Sequence, residues 1–211
     1  MTRKRSGLKP KVNRRVTDLA RIRHALTRPG RPSSDFDLNK DVVLPPARKL
    51  RPAGVLAAVF EARKGLHLIL TKRSSGLKHH PGQIAFPGGK QDEGDRDVTA
   101  AALREAHEEI GLQASNVEIL GTLPAHETVT GFVVTPVIGY VRKPFEYRPE
   151  PGEVDEVFTV PLSHVLNKDN FAIEGRMWRG QRRSYFAVPF GPYYIWGATA
   201  RMLRAWSDQM S

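Results

Sequence analysis

The chain contains no cysteine among its 211 residues. Disulfide bonds, a catalytic thiol and cysteine-ligated zinc are therefore excluded, and because this composition fits a reducing compartment we expect a cytoplasmic protein. The sequence also has no apolar run that approaches the ~18 residues typical of a membrane-spanning helix. These absences predict a protein that folds without cross-links and has no membrane partner.

Acidic residues are scarce at the start of the chain. Residues 1–34 contain eleven Lys and Arg side chains and one acid, Asp18; eleven positive charges less one negative charge leave +10 of the net charge of +11. Because this charge is local, we interpret residues 1–34 as a basic, solvated arm, with binding of RNA or an acidic partner as the alternative. Apolar residues between Val16 and Leu26 recur at helical spacing and predict a short amphipathic helix within this arm.

Prolines and turn-forming residues separate the arm from the rest of the chain. A turn-rich stretch covers residues 29–35, and Pro45, Pro46 and Pro52 mark residues 35–52 as an irregular connection. Residues 53–211 have the length of a single domain that can bury a substantial core. The sequence therefore predicts one folded domain preceded by an arm and a connection.

The hydrophobic pattern of residues 53–211 predicts alternating strands and helices. Residues 55–60 predict a buried strand and residues 66–71 its hairpin partner, whereas residues 98–110 predict a helix that ends at Gly111. Pro136 predicts an edge position or a bulge in its strand. Pattern alone indicates an α+β or α/β class. The other predicted elements are strands at 117–123, 132–141, 157–160, 171–173 and 185–188, and a helix at 196–210.

An acidic cluster lies in the predicted helix 98–110. Glu105, Glu108 and Glu109 are three and four residues apart and share one helical face. Such carboxylates repel one another unless a cation neutralises them, and oxygen ligands favour Mg²⁺ or Mn²⁺ over zinc. A solvated acidic face is the ordinary alternative. Residues 86–89, Phe-Pro-Gly-Gly, favour the metal site because they predict a tight turn at which the backbone can approach a phosphate closely.

These residues resemble the signature of the Nudix hydrolases, in which Gly, five residues, Glu and seven residues precede Arg-Glu-apolar-x-Glu-Glu-x-Gly-apolar. Residues 104–112 match the second half throughout. The first half departs from the signature: counted from Gly89, the acidic position holds Asp95, and eight residues separate it from Arg104. The resemblance implies an α/β fold, namely an α/β/α sandwich with a mixed β-sheet between helices.

Residues 69–89 carry a second resemblance, to the marker of the coenzyme A diphosphatase subgroup. That marker is Leu-Leu-Thr-x-Arg-Ser, followed by an Arg and a Gly before Phe-Pro-Gly-Gly. Arg73 and Gly82 match it, whereas Ile69 replaces a Leu and Lys78 replaces the Arg. Lys keeps the charge but lacks the planar fork with which Arg binds phosphate at two points. Residues 153–162 and 195–203 also resemble this subgroup.

The family resemblance implies a metal centre on the acidic helix. Glu105, Glu108 and Glu109 are expected to hold Mg²⁺ or Mn²⁺, with the carbonyl of Gly89 as a further ligand. Arg104 is rotated by about a hundred degrees from Glu105, so we expect it to orient a glutamate through a salt bridge.

The remaining assignments concern the base and the substrate. Glu156, ranked slightly ahead of Glu153, is the predicted further ligand or general base. His126 is interpreted as a polar strand-end residue, with a role as base left open. Trp196 and Met202 are interpreted as core packing. The predicted substrate-binding residues, for which an ordinary charged or turn-forming loop is the alternative, are Arg73, Lys78, His79, Gly88 and Gly89.

The sequence thus predicts metal-dependent hydrolysis of a diphosphate bond. Coenzyme A or an acyl derivative is the substrate favoured by the subgroup resemblance, with 4′-phosphopantetheine and adenosine 3′,5′-bisphosphate as products. A nucleoside triphosphate, a dinucleotide or an RNA cap is the alternative substrate, because all would use the same catalytic helix. A third interpretation is a non-catalytic module that binds nucleic acid through the basic arm. A homodimer is left open.

Overall fold

The computed structural model describes residues 14–42, 44, 48–178 and 180–211. The first part of the predicted arm, and Pro45 and Pro46 of the predicted connection, lie outside these residues. The helices are α1 (Arg14–Thr27), α2 (Val98–Ile110), α3 (Leu162–Val165) and α4 (Gly197–Met210). The strands are β1 (Ser33–Ser34), β2 (Arg51–Ala62), β3 (Gly65–Arg73), β4 (Ile84–Ala85), β5 (Gly88–Lys90), β6 (Val117–Thr122), β7 (His126–Glu127), β8 (Phe132–Val141), β9 (Val154–Pro161), β10 (Ala172–Trp178) and β11 (Gln181–Ala187).

Strands β1 to β9 form one mixed sheet. Its order is β1-β7-β8-β2-β3-β4, with β5 paired to β2, β6 to β8 and β9 to β3. The pairs β1–β7 and β2–β8 are parallel, and the other pairs of this sheet are antiparallel. The predicted hairpin is confirmed as β2–β3. The parallel pair β2–β8 requires a crossover connection, and α2 lies on that connection.

Helices cover both faces of the sheet because β2 is apolar on both sides. Ala57 and Val59 belong to one buried core, whereas Leu56 and Ala58 belong to the other. Residues of α1 and α4 complete the first core, and residues of α2 complete the second. This arrangement is an α/β/α sandwich around a mixed sheet, and the predicted fold class is confirmed.

Two local features place α2 against the sheet. Its N-cap residue, Asp97, accepts a hydrogen bond of 2.8 Å from the backbone N–H of Ala100, and Gly111 ends the helix at φ 75°. On β2, a Cβ atom at Gly54 would overlap the carbonyl oxygen of Val98, so glycine permits the close approach of helix and strand. The predicted helix 98–110 is confirmed, and its acidic residues lie beside β5.

Pro136 lies in β8, a strand with neighbours on both sides, so the predicted edge position is wrong. The carbonyl of Pro136 accepts a hydrogen bond of 2.9 Å from the N–H of Leu123, and the proline nitrogen therefore faces the same side. On that side β6 ends at Thr122 and β7 begins at His126. The missing N–H thus falls in the gap between two neighbours, where no ladder hydrogen bond is lost.

Helix α1 confirms the predicted amphipathic helix but not its solvated setting. Ile22 and Ala25 are 1% and 2% exposed, and Ile22 packs in the same core as α4. Ser33 and Ser34 continue into the main sheet by pairing with β7. The interpretation as a solvated arm is therefore wrong for residues 18–34, because burial of the apolar face stabilises a helix of this length more than solvation does. The division of the chain at residues 34 and 52 stays a prediction.

A hairpin and α4 complete the fold on the C-terminal side. Strands β10 and β11 extend the two short strands predicted at 171–173 and 185–188 into one antiparallel pair. Asn39 anchors this hairpin, because its side chain exchanges hydrogen bonds of 2.9 and 2.8 Å with the carbonyl and N–H of Ser184. Among the described residues, no helix is long and apolar enough to cross a membrane.

Candidate active site

The three glutamates of α2 differ sharply in exposure. Glu109 is buried, with 4% exposed, the Glu105 side chain is 16% exposed, and the Glu108 side chain is 53% exposed. Their shared face therefore runs from the protein interior beside β5 out to solvent. Burial of Glu109 is the feature that the helical pattern does not reveal, because spacing alone predicts a common face and not its depth.

Arg104 binds the two outer glutamates. Its Nη1 lies 3.0 Å from Oε1 of Glu105 and 2.8 Å from Oε2 of Glu108, so one nitrogen bridges both carboxylates. The same guanidinium donates to the carbonyl of Lys90 at 3.2 Å and to Oδ2 of Asp95 at 2.9 Å. Arg104 thus joins α2 to the loop that follows β5, and the expected salt bridges to glutamate are present.

Asp95 occupies the position at which the sequence departs from the Nudix signature. Its carboxylate accepts from Arg104 and from the backbone N–H of Asp92, the latter at 2.9 Å. The hydrogen bond from Arg104 holds the pKa of Asp95 below its usual value, and Asp95 in turn raises the pKa of Arg104. The shorter acidic side chain therefore still anchors the arginine.

Two neighbouring carboxyl groups carry raised pKa values. Burial, with a further contribution from the charge of Glu105, raises the pKa of Glu109 to about 8, although Arg73 and a hydrogen bond from the N–H of Gly88 oppose this shift. Burial also raises the pKa of Glu105, against the opposing effect of Arg104. Partly buried carboxylates in this state gain stability from a cation, which favours their ionised form.

The predicted tight turn at residues 86–89 is a bend at Pro87 that leads directly into strand β5. Gly88 and Gly89 belong to β5 and pair with Val55 and Gly54 of β2. Gly88 has a φ of 152°, and a Cβ atom there would lie 2.5 Å from the carbonyl oxygen of Gly54. A Cβ atom at Gly89 would overlap the carboxylate of Glu105. The predicted close approach of the backbone therefore occurs at Gly89, where the nearest group is the carboxylate of Glu105.

The carboxylates of α2 offer the oxygen ligands that a divalent cation prefers, but they are not arranged as a complete metal site. Within the described ranges, no three His, Asp or Glu side chains come together as a ready-made metal site. The Arg104 nitrogen lies between Glu105 and Glu108 instead. Three features fit a hard cation: the three carboxylates, the raised pKa of Glu109, and the approach of the Gly89 backbone to Glu105. The predicted ligands Glu105, Glu108, Glu109 and Gly89 stay predictions.

A cavity of about 570 Å³ adjoins this cluster through Arg73 and Gly88. Its ionisable lining comprises one acid, Asp35, and four basic side chains, Arg73, His80, Arg176 and Arg183. A second cavity, of about 330 Å³, contains none of the predicted site residues. The first cavity therefore has a cationic lining and shares Arg73 and Gly88 with the surroundings of Glu109. Its apolar lining includes Val55, Ala85, Phe86, Val134, Ala198 and Met202.

The predicted substrate-binding residues divide into two groups. Arg73, at the end of β3, lines the cavity and acts electrostatically on Glu109. Lys78, His79 and His80 are all exposed, and of these three only His80 lines the cavity. His80 adopts a φ of 56°, and its pKa is lowered by burial and by the charge of Arg73. Sequence reasoning missed His80 because the loop conformation decides which of the two adjacent histidines lines the cavity.

Glu153 and Glu156 have different surroundings, and the choice between them as base or further ligand stays a prediction. Glu156 lies within β9, and its carboxylate accepts a hydrogen bond of 2.5 Å from Tyr193, whose ring stacks on Phe158 at 3.6 Å. Glu153 precedes β9 and lies close enough to Glu105 and Glu109 to raise their pKa values. The structure therefore brings Glu153 to the acidic cluster, whereas Glu156 binds Tyr193.

Two aromatic residues also line the cavity. Trp196, which caps α4, packs against Tyr185 of β11 with ring centroids 5.0 Å apart, and both residues contact the cavity. Met202 is buried in the core and also lines the cavity. The interpretation of Trp196 as core packing is wrong, because the β10–β11 hairpin leaves its ring at the cavity wall.

Asp35 is held at the cavity by a buried network. Its Oδ2 accepts from the N–H of Val129 at 2.9 Å, and its Oδ1 lies 3.1 Å from Nε2 of His126. His126 is fully buried, and its Nδ1 lies 2.9 Å from the hydroxyl of Ser33. His126 therefore orients Asp35. As predicted, His126 lies at the end of a strand, and the structure buries it among these partners.

Fold and site together define a hydrolase of the Nudix type, and comparison with known proteins identifies the family. The family model described as NUDIX domain matches residues 50–179, so the chain belongs to the Nudix family. Nudix hydrolases generally use divalent metal ions such as Mg²⁺ or Mn²⁺.

Curated relatives carry the same family name. The Uncharacterized Nudix hydrolase NudL of Enterobacter sp. (strain 638) is 42% identical over 154 residues, which cover 73% of this chain and 80% of that protein. The protein of the same name from Citrobacter koseri is 40% identical over 172 residues, which cover 81% of this chain and 88% of that protein. Among solved structures, RenU, a Nudix hydrolase from M. smegmatis, aligns with a TM-score of 0.46 at 24% identity over 55% of this chain and 73% of that one.

Proposed function

We propose that this Nudix hydrolase cleaves the diphosphate bond of coenzyme A or of an acyl derivative, in a reaction that depends on Mg²⁺ or Mn²⁺. The products are 4′-phosphopantetheine, acylated or not, and adenosine 3′,5′-bisphosphate. The observation that carries the hydrolytic part of this proposal is the buried Glu109 beside Glu105, next to Arg73 and Gly88, which also line the cationic cavity.

The acidic residues of α2 would hold the cation. Glu105, Glu108 and Glu109 supply carboxylate oxygens, and Gly89 supplies a backbone carbonyl at the same place. When bound, the ion neutralises the phosphates and lowers the pKa of the attacking water. One nitrogen of Arg104 binds Oε1 of Glu105 and Oε2 of Glu108, so the second oxygen of each carboxylate is the one that would meet the ion.

Neighbouring side chains perform the remaining steps. Arg73, between the cavity and Glu109, binds the phosphates of the substrate. Arg104, through Asp95 and the Lys90 carbonyl, positions the helix relative to β5. Glu153 is the better placed of the two candidate bases because it lies near the acidic cluster, whereas Glu156 is bound by Tyr193.

The choice of coenzyme A rests on the subgroup marker in residues 69–89 and on the cavity. Arg73 and residues 86–89 of that marker converge on the cavity wall and on β5. Apolar and aromatic lining residues suit an adenine base, and the basic side chains suit additional phosphate. A nucleoside triphosphate, a dinucleotide or an RNA cap would use the same acidic helix and would differ in its fit to the cavity.

Product identification tests the proposal directly. The purified protein is incubated with coenzyme A and Mg²⁺ or Mn²⁺, and mass spectrometry is expected to detect 4′-phosphopantetheine and adenosine 3′,5′-bisphosphate. Parallel reactions contain nucleoside triphosphates, dinucleotides and capped RNA. A higher kcat/KM for a nucleoside triphosphate than for coenzyme A would overturn the choice of substrate and leave the hydrolytic assignment intact.

A further inference from the structure

Strand β10 is the open edge of the β10–β11 hairpin. Within the part of the chain that the structure describes, β10 pairs with β11 alone. Ile173 and Met177 lie on one face of β10, and at 62% and 65% exposure they are the most exposed large hydrophobic side chains among the described residues. Large apolar side chains in solvent along a free strand edge mark a place where another strand can add.

The hydrogen bonds of β11 show which backbone groups of β10 face the open edge. The side chain of Asn39 exchanges hydrogen bonds with the N–H and the carbonyl of Ser184. Both backbone groups of Ser184 thus point away from β10, so Ser184 and the opposite residue, Gly175, form a non-hydrogen-bonded pair. Because this direction alternates along a strand, Ile173, Gly175 and Met177 turn their N–H and carbonyl groups toward the open edge.

The charges of β10 are complementary to a second copy of the same strand. Glu174 and Arg176 are exposed and flank Gly175. Two copies of β10 that lie antiparallel about a two-fold axis at Gly175 place Glu174 of each copy opposite Arg176 of the other. The same axis places Ile173 opposite Met177. An axis at Glu174 or at Arg176 would instead place two like charges directly opposite each other, which is destabilising, so the sequence of β10 favours one register.

We propose that β10 is a homodimer interface, in which two copies of the chain join their hairpins edge to edge in an antiparallel register centred on Gly175. In this register the outward N–H and carbonyl groups pair Gly175 with Gly175 and Ile173 with Met177. The pairs of Glu174 with Arg176 fall between them at non-hydrogen-bonded positions, where the side chains of opposite strands approach most closely. The dimer is independent of the substrate, because it needs only the surface of the hairpin.

Charge exchange tests the register. Sedimentation velocity of the full chain over roughly 1–200 µM should show a reversible monomer–dimer equilibrium, because a contact between two strands is smaller than the interface of an obligate dimer. Glu174→Arg should weaken the dimer at least about tenfold, since both ion pairs become pairs of like charge. A double variant with Glu174→Arg and Arg176→Glu restores opposite charges at both pairs and should regain the native dissociation constant within about threefold.

Glu146→Arg is the matched control for the change in charge. The side chain of Glu146 is 80% exposed and lies outside β10, so this variant should leave the equilibrium unchanged. A native protein that stays monomeric over the whole concentration range overturns the proposal, and so does a dimer that Glu174→Arg leaves intact. A dimer that is lost in Glu174→Arg and is not regained in the double variant overturns the register centred on Gly175.

Amide hydrogen exchange of the native protein gives a second readout that needs no variant. As the protein concentration rises, the amides of Ile173, Gly175 and Met177 should exchange more slowly, because they gain partners across the new strand pair. The amides of Glu174 and Arg176 face β11 and should exchange at the same rate at every concentration. Exchange that does not depend on concentration at Gly175, in a sample that sediments as a dimer, would place the interface elsewhere and overturn the proposal.

Discussion

The carboxylate of Glu105 lies against the backbone of Gly89, so closely that a Cβ atom on the glycine would overlap it. Glycine is therefore required at this position by the acidic side chain on the neighbouring helix as well as by the local backbone. The relationship links β5 to α2 and provides a direct test of whether the acidic helix is catalytic.

Gly89→Ala should displace the Glu105 carboxylate. We expect kcat to fall on the order of tenfold to a hundredfold, because small displacements of catalytic groups are costly, and we expect a loss of stability of about 1–3 kcal/mol from overpacking. Steady-state kinetics and urea unfolding measure the two effects. The control is Gly94→Ala in the loop between β5 and α2, where a Cβ atom meets nothing within 4 Å. Equal activity of both variants would contradict the proposed role of the contact.

Glu108→Gln should reduce turnover without unfolding the protein. The side chain is more than half exposed, and its loss removes one proposed ligand oxygen and one ion pair with Arg104. We expect kcat to fall on the order of a hundredfold or more, with little change in the free energy of unfolding. Glu93→Gln, at an exposed loop position, is the control. A folded Glu108→Gln protein with full turnover would exclude this residue from the metal site.

The stability of the metal-free protein should depend on pH through Glu109. The folded-state pKa of about 8 exceeds the ordinary value of 4.5, so its contribution to stability is complete below about pH 4.5 and is lost as the pH rises through about 8. Urea unfolding in the presence of a chelator should therefore show a decreasing free energy of unfolding from pH 5 to pH 8. Glu109→Gln should remove this part of the decrease. Parallel pH profiles for the two proteins would show that the native carboxyl group titrates normally.

Ile22→Ala tests whether α1 belongs to the folded unit. Ile22 is 1% exposed in the core shared with α4, so we expect a loss of about 2–5 kcal/mol in the free energy of unfolding. Arg21→Ala on the exposed side of the helix is the control and should change stability by less than about 0.5 kcal/mol. Thermal unfolding followed by circular dichroism measures both. Equal stability of the two variants would restore the interpretation of this segment as a solvated arm.

Local chemistry explains which parts of the fold were predictable. Helix α2 followed from its apolar period and from Gly111 as its C-terminal stop, and the β2–β3 hairpin followed from two apolar runs around a short turn. The edge position predicted from Pro136 was wrong, because a proline costs a ladder hydrogen bond only where a neighbouring strand lies beside its nitrogen. The gap between β6 and β7 arises only in the assembled sheet, so the sequence around Pro136 does not predict it.

The site was predicted only in part, because the sequence does not show how deeply a side chain is buried or which cavity it faces. The periodicity of α2 places three glutamates on one face, but the burial of Glu109 depends on how closely β5 approaches. The order of Glu153 and Glu156 depends on where β9 begins and on the distant Tyr193. Asp35, His80 and Trp196 reach one cavity from segments far apart in the chain, and no local pattern connects them.

The construction of the cavity has a consequence for how specificity is distributed along the chain. The proposed catalytic residues all fall within residues 50–179, which match the NUDIX domain, whereas much of the cavity wall comes from residues 35–39 and 183–202. The cavity wall therefore combines residues within the matched domain, such as Arg73 and Phe86, with residues from both of its flanks. A chimaera that receives only residues 50–179 should therefore carry the proposed catalytic residues with an incomplete cavity wall, and its ratio of kcat/KM values for different nucleotides should differ from that of the native protein.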